Sequence, residues 1–317
     1  MLSILGMGKN VIQVKNLRKK FGNIKAVDNV SFAVKKGEIL AMLGPNGAGK
    51  TTTLEMVEGI LKQTSGTIDV LGFNPARQPQ EVKRRIGIQL QSTAYYEYLN
   101  LGELLDLFGS FFRKKVSVKN LLKMVGLEEK RKAKIGELSG GQKQRFSVVA
   151  TLVNDPEIVF LDEPTTGLDP QARRNLWGVV RKINRKGKTI ILTTHYMEEA
   201  DILADKVLIM DRGKIIASGT PKQLKSKLPN PFRIELITGR CPGDIGVRGL
   251  PGVVGVRHDK DEQGRHRCIV GVKDVRKTLP NILAILKKKK VEFSDLEVIP
   301  SNLEDVFLNL TGKELRD

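Results

Sequence analysis

The sequence predicts an α/β fold: a sheet of short buried strands carrying a helical insertion, followed by a small α+β domain. Three observations predict it. Short apolar runs alternate with helix-compatible runs over residues 11–228, the pattern of strands joined through helices. The stretch from Ser92 to about Asp155 reads as helical, so it is an insertion between strands. Composition then shifts at Leu228-Pro229-Asn230-Pro231, which suits a linker. The expected organisation is an extension at residues 1–10, a first domain at 11–228 with its helical part at about 92–155, and an accessory domain at 229–317.

Each element has a local reason. Residues 11–14 and 30–34 read as short strands, joined through 15–29, with Phe21-Gly22 on the connection. Residues 38–43 are apolar and free of interior breakers, a buried strand. Residues 52–58 are helix-compatible and stop at Gly59, a suitable C-cap. Residues 66–72 and 85–91 read as strands. Leu101, Leu104, Leu105, Leu107 and Phe108 fall at helical spacing, as do Leu121, Leu122, Met124, Val125 and Leu127. Strands return at 158–161 and 189–193, followed by helices at 170–186 and 197–203, and a hairpin joins 207–210 to 214–218. Past the linker, strands are expected at 232–237, 253–258, 267–272 and 291–298. Helices are expected at 278–290, with Pro280 in the first turn, and at 302–310.

Composition sets limits. A chain of 317 residues has room for two domains, and 40% hydrophobic residues suits a soluble globular protein. No run approaches the ~18 apolar residues of a membrane span. The apolar opening, residues 1–7, lacks the basic region and cleavage site of a signal peptide, and none is expected. Cys241 and Cys268 belong to no C-x-x-C pair, so free thiols are expected and zinc is not. The net charge is +19, and residues 229–317 contribute only 16 basic against 13 acidic groups. The excess therefore lies in the first 228 residues. It fits a solvated basic surface, an anionic ligand, a membrane face or nucleic acid, and charge alone does not separate these.

Three motifs carry chemistry. Gly44-Pro45-Asn46-Gly47-Ala48-Gly49-Lys50-Thr51 fills every fixed position of G-x-x-x-x-G-K-[ST], between a strand and a helix. Glycines let successive N–H groups point into one concavity, and the helix N-terminus adds partial positive charge, so phosphate oxygens fit there. Lys50 reaches terminal phosphates and the Thr51 hydroxyl can ligate Mg2+. The sheet is thus a P-loop nucleotide-binding sheet. Next, an apolar strand at 158–161 ends in Asp162 and Glu163; the pleat sends the two carboxylates in different directions, one toward Mg2+ and one toward the attacking water. Finally, Leu138-Ser139-Gly140-Gly141-Gln142 opens a helix, with Ser139 as N-cap, and offers a second phosphate cradle. One nucleotide has one set of phosphates. Two cradles on one chain suggest two copies sandwiching each ATP.

With these motifs in order, the chain resembles the ATPase subunit of an ATP-binding cassette (ABC) transporter over about residues 11–225. The tail at 302–312 resembles, more weakly, subunits that pair with export-type permeases, the ABC-2 or drug-exporter type. The resemblance implies roles. Phe21 stacks on adenine. Gly44, Pro45, Asn46, Gly47, Ala48, Gly49, Lys50, Thr51 and Thr52 hold ATP. Gln91 senses the γ-phosphate and Mg2+, which Thr51 and Asp162 also bind. Ser139, Gly140, Gly141 and Gln142 contact the ATP of the opposite subunit, and Asp169 lies at the dimer seam. Glu163 is the general base, and His195 holds the attacking water, with Lys50 and Gln91 completing the catalytic set. His258 and His266 are read as incidental. The implied function is an ATP-hydrolysing motor on the cytoplasmic face of the membrane. It pairs with a second ATPase subunit, as a homodimer, and with integral-membrane permease subunits, nucleic acid not being an expected partner. An importer motor and a soluble cassette ATPase acting on ribosomes or nucleic acid are the alternatives. The latter usually carries two cassettes or a long coiled coil, and this chain has neither feature.

Overall fold

The structure, a computed structural model, describes residues 9–89, 95–238, 246–260 and 264–312. The chain divides into two compact units, one reaching to Pro221 and the other beginning at Lys222. The first contains β1 (Asn10–Phe21), β2 (Ile24–Lys35), β3 (Ile39–Leu43), α1 (Lys50–Glu58), β4 (Ser65–Val70), α2 (Pro79–Lys83) and β5 (Ile86–Gln89). The insertion follows with α3 (Leu101–Ser110), α4 (Val118–Val125) and α5 (Gly140–Ala150). Then come β6 (Ile158–Asp162), α6 (Pro170–Arg185), β7 (Thr189–Thr194), α7 (Met197–Leu203), β8 (Lys206–Asp211) and β9 (Lys214–Gly219). Helix α8 (Pro221–Ser226) leads into β10 (Phe232–Thr238), β11 (Val253–Lys260), β12 (His266–Val272), α9 (Val275–Lys288), β13 (Phe293–Pro300) and α10 (Leu303–Thr311).

A six-stranded sheet of order β5-β6-β7-β3-β8-β9 carries the site. All its pairs are parallel except the β8–β9 hairpin. Every residue of β3, β6 and β7 is buried. Parallel strands covered on both faces read as unbroken apolar runs, which is why the sequence reveals them. An antiparallel sheet of order β2-β1-β4 shares a core with it, joining Ile12, Val14 and Val30 to Met42, Leu54 and Ile191.

Two expectations in this unit need correction. The first two strands are 12 residues each, not four or five, and they turn tightly between Phe21 and Ile24. Phe21 therefore ends a strand instead of lying on a long connection. Solvent-facing lysines and repeated register shifts in this pair erase the period-2 signal that a sequence reading needs. Glu163 also falls just past the end of β6, at φ 47°, so the left-handed backbone and not the pleat aims its side chain.

The second unit is an antiparallel sheet of order β11-β12-β10-β13. Ile234, Leu236, Cys268, Val270 and Val272 pack with Ile282 and Leu286 of α9. Helix α9 starts three residues earlier than expected, because the Asp274 carboxylate accepts from Arg276 N–H at 2.9 Å and caps it there. Pro280 thus lies inside the helix and not in its first turn. The following strand starts two residues late. Lys290, at φ 53°, and Val291 close the helix instead, their N–H groups donating to Lys287 and Leu286 carbonyls. Cys241 lies outside the described residues.

Candidate active site

Three neighbouring parallel strands end level with one another: Leu43 of β3 pairs with Thr194 of β7, and Thr193 with Asp162 of β6. The phosphate loop, the acidic pair and His195 gather at these carboxyl ends, the edge where open α/β sheets bind ligands. β3 delivers the phosphate loop, β6 delivers Asp162 and Glu163, and β7 delivers His195.

The loop is built at the limit of backbone approach. A Cβ on Gly44 would sit 2.3 Å from the Met210 carbonyl oxygen, and one on Gly49 would sit 2.5 Å from that of Ala26. Gly49 is also at φ 94°, strained for any side chain. It precedes α1 without a side-chain cap of its own. Lys50 is buried; its ammonium donates to the Gly44 and Pro45 carbonyls at 2.7 and 3.1 Å and lies 3.6 Å from Glu163 Oε1. Burial lowers the Lys50 pKa, and the Glu163 carboxylate opposes that by favouring the charged form.

The two carboxylates occupy different surroundings. The Thr51 hydroxyl lies 3.2 Å from both Asp162 oxygens, and the Thr193 hydroxyl donates to Asp162 Oδ1. Glu163 is held by its backbone, whose N–H donates to Thr193 Oγ1 at 3.0 Å, and by the Thr166 hydroxyl, which donates to Oε2 at 3.2 Å. The same Oε2 is 3.3 Å from His195 Nδ1. That approach is close enough for an ion pair yet out of line for a hydrogen bond, so Nδ1 is a buried nitrogen without an aligned partner.

The remaining predicted residues lie on other elements. Phe21 is 48% exposed at the hairpin tip, with Lys19 Nζ 4.8 Å from its ring centre. The hairpin meets the loop where Ala26 backs Gly49. Ser139 caps α5, accepting from Gln142 N–H, while Gln142 Oε1 accepts from Ser139 N–H and from Lys130, each at 3.1 Å. A Cβ on Gly141 would lie 3.0 Å from the Ala172 Cβ. These contacts run to α6 and the insertion and not to the loop of the same chain. Asp169 caps α6, accepting from Ala172 N–H at 2.8 Å. Gln91 lies outside the described residues.

Comparison with known proteins accords with this geometry. The family model described as ABC transporter matches residues 27–166. The linearmycin resistance ATP-binding protein LnrL of Bacillus subtilis is 36% identical over 97% of this chain and 100% of its own length. The chain belongs to the ABC transporter family. The Nod factor export ATP-binding protein I of Burkholderia lata is 39% identical, covering 96% of this chain and 98% of that protein. The daunorubicin resistance ATP-binding protein DrrA3 of Streptomyces coeruleorubidus is 35% identical over 98% of both. Among solved structures, cbiO1 from Clostridium perfringens, part of an ABC transporter complex, superposes with TM-score 0.63 at 28% identity, covering 69% of this chain and 91% of that one. A dimeric ATP-binding cassette bound to ADP and Pi in a post-hydrolysis state gives TM-score 0.60 at 28% identity, over 66% of this chain and 98% of that one.

ABC ATPases bind ATP and typically Mg2+, and the residues here fit both. The loop's backbone packs so closely on the Met210 and Ala26 carbonyls at Gly44 and Gly49 that neither position admits a Cβ. Thr51 and Asp162 present a hydroxyl and a carboxylate side by side, hard oxygen donors of the kind Mg2+ takes. No group of three or more His, Cys, Asp or Glu side chains among the described residues could hold a metal. Mg2+ binds through one or two protein oxygens plus substrate phosphates. Sequence reasoning missed Thr193, Thr166, Ala26 and Gly213, whose Cα would crowd a Gly49 Cβ at 3.3 Å. Only Thr193 had a signal, its place two residues before His195 on a strand end.

Proposed function

We propose that this chain is the ATP-hydrolysing motor subunit of a membrane exporter, working as a dimer whose closure drives a separate permease. The observation that carries the chemistry is Glu163, a buried carboxylate held between Lys50 at 3.6 Å and His195 at 3.3 Å. Loop amides and Lys50 bind the β- and γ-phosphates of ATP. Thr51 and Asp162, with Gln91, hold Mg2+, which when bound neutralises phosphate charge as the phosphoryl group departs. Glu163 takes the proton of the attacking water, and His195 keeps that water and the γ-phosphate in line. The water oxygen bonds to the γ-phosphorus as the bond to ADP breaks. Phosphoryl transfer depends mainly on such positioning and charge stabilisation.

The second cradle gives the dimer. The hydrogen bonds of Ser139 and Gln142 run to each other and to Lys130, and Gly141 lies against Ala172; we assign residues 139–142 to the ATP held by a second copy, across a seam near Asp169. Hydrolysis is then tied to closure and opening, a motion that can work a permease. The names of the three full-length relatives, two for resistance and one for export, favour export and give no support to a ribosome- or nucleic-acid-directed ATPase. No helix among the described residues is long and apolar enough to cross a membrane, and we assign the membrane spans to the permease. The chain is then peripheral, on the cytoplasmic face where ATP is available.

Glu163→Gln tests the base. It should bind ATP with near-normal affinity and lose at least about a hundredfold in turnover, within the range general-base catalysis contributes. Near-normal turnover would contradict the assignment.

A further inference from the structure

Thr165 Oγ1, Arg173 Nε, His195 Nδ1 and Glu199 Oε2 are among the buried polar atoms that lack an aligned hydrogen-bond partner among the described residues. Such atoms are rare in folded proteins and each calls for a cause. His195 belongs to the site above. Of the other three, one is on Glu199 and two belong to its neighbours Thr165 and Arg173; Glu199 is a fully buried acid in the first turn of α7 that no step of hydrolysis uses.

The Glu199 carboxyl is approached from three elements. Oε1 accepts from the Trp177 indole N–H of α6 at 3.1 Å. The hydroxyl of Thr194, the last residue of β7, and that of Thr165, two residues past Glu163, both face it. Arg173, one turn before Trp177 on α6, acts on its charge and stacks over the Tyr196 ring at 3.9 Å. Tyr196 in turn donates its N–H to Thr194 Oγ1 at 2.9 Å. Both chain neighbours of His195 are therefore pinned by one cluster. Burial raises the Glu199 pKa and favours the neutral acid, whose O–H could serve an acceptor beside it.

We propose that Glu199 is a positioning residue for hydrolysis: it fixes His195 on one side and residues 165–169 on the other, keeping His195 within reach of Glu163. Asp169 caps helix α6, so the tie through Trp177 also sets His195 relative to the predicted seam. The proposal rests on the reading of Glu163 and His195 as hydrolytic groups.

The test is a double-mutant cycle on the full chain, reading ATP affinity and turnover separately. Glu199→Ala should lower kcat about ten- to a hundredfold, because slight misplacement near the chemistry costs that much, and change ATP affinity less than about twofold. On a His195→Ala background it should add nothing, since its route of action is gone. Glu199→Gln, which still accepts from Trp177 and can donate toward Thr165, should recover most of the rate. Trp177→Phe removes only the indole N–H and carries the test if Glu199→Ala does not fold; it should lose about three- to tenfold, again only where His195 is present. Wild-type turnover in these variants, or losses that multiply with that of His195→Ala, overturns the proposal. If His195→Ala alone keeps full activity, the reading of the active site falls, and this proposal with it.

Discussion

The two helix N-termini that we assign to phosphate stand in opposite conditions. Helix α1 follows Gly49, at φ 94°, and has no side-chain cap, with the buried Lys50 as its first residue. Helix α5 follows Ser139 and is closed by a reciprocal capping box, with Lys130 also donating to Gln142. The first presents amides that no side chain of its own terminus satisfies, beside a cation. The second is already satisfied, so an anion arriving there must displace a cap. The contrast suits α1 to holding a nucleotide alone. It suits α5 to binding only when a phosphate fixed elsewhere is pressed against it, as in a closed dimer.

The comparison can be broken at either end. The largest effect is expected at α1. Lys50→Ala removes charge-assisted contacts and should weaken ATP binding about a hundredfold, by calorimetry on the isolated chain. Unchanged affinity would count against the loop as the primary site. Gly49→Ala should cost about 1–3 kcal/mol of stability, from positive φ and a Cβ forced against the Ala26 carbonyl, and should depress ATP binding too. A variant as stable as the parent in urea would mean that the cradle relaxes freely.

The far end of α1 yields a pH signature. Burial, reinforced by Asp162 and Glu55, raises the Glu58 pKa from 4.5 to about 8. The folded chain therefore keeps a proton that the unfolded chain releases. This stability is full below about pH 4.5 and is lost as pH climbs toward 8. Glu58→Gln has no proton to lose. In nucleotide- and metal-free protein it should match the parent at low pH and exceed it by ~1–2 kcal/mol at pH 9, a discounted share of what the shift allows. Parallel melting curves across that range would dismiss the buried-proton account. At α5 the effect is smallest: Ser139→Ala should cost about 1 kcal/mol of stability or less and leave ATP affinity of the single chain within about twofold. A large affinity loss there would erase the distinction between the two termini.

What could be read beforehand follows from this contrast. The phosphate loop, Asp162, Glu163 and His195 were legible because each sits at the end of a buried parallel strand, where apolar runs are unmistakable. The cap at Ser139 was legible because capping is local chemistry. The hairpin of β1 and β2 was not, since lysines face solvent along it and its register slips repeatedly. The aim of Glu163 was misread because a left-handed residue just past a strand leaves no mark in composition. Ala26 and Gly213 were invisible as parts of the site, because they act through contacts made across long stretches of chain. The tie between Glu199 and Trp177 was hidden for the same reason: 22 residues separate them in sequence.

The central claim is that each active site is shared between two copies. Mixing two inactive variants tests it most directly. Lys50→Ala spoils a chain's loop and Ser139→Arg spoils its signature helix. If sites are shared, each variant alone is inactive, and a mixed dimer has one site with both lesions and one intact site. Mixed in equal amounts, the two should regain about a quarter of wild-type phosphate release, since half the dimers are mixed and each keeps one of two sites. Turnover no higher than the sum of the separate variants, or full activity in Ser139→Arg alone, would contradict the account.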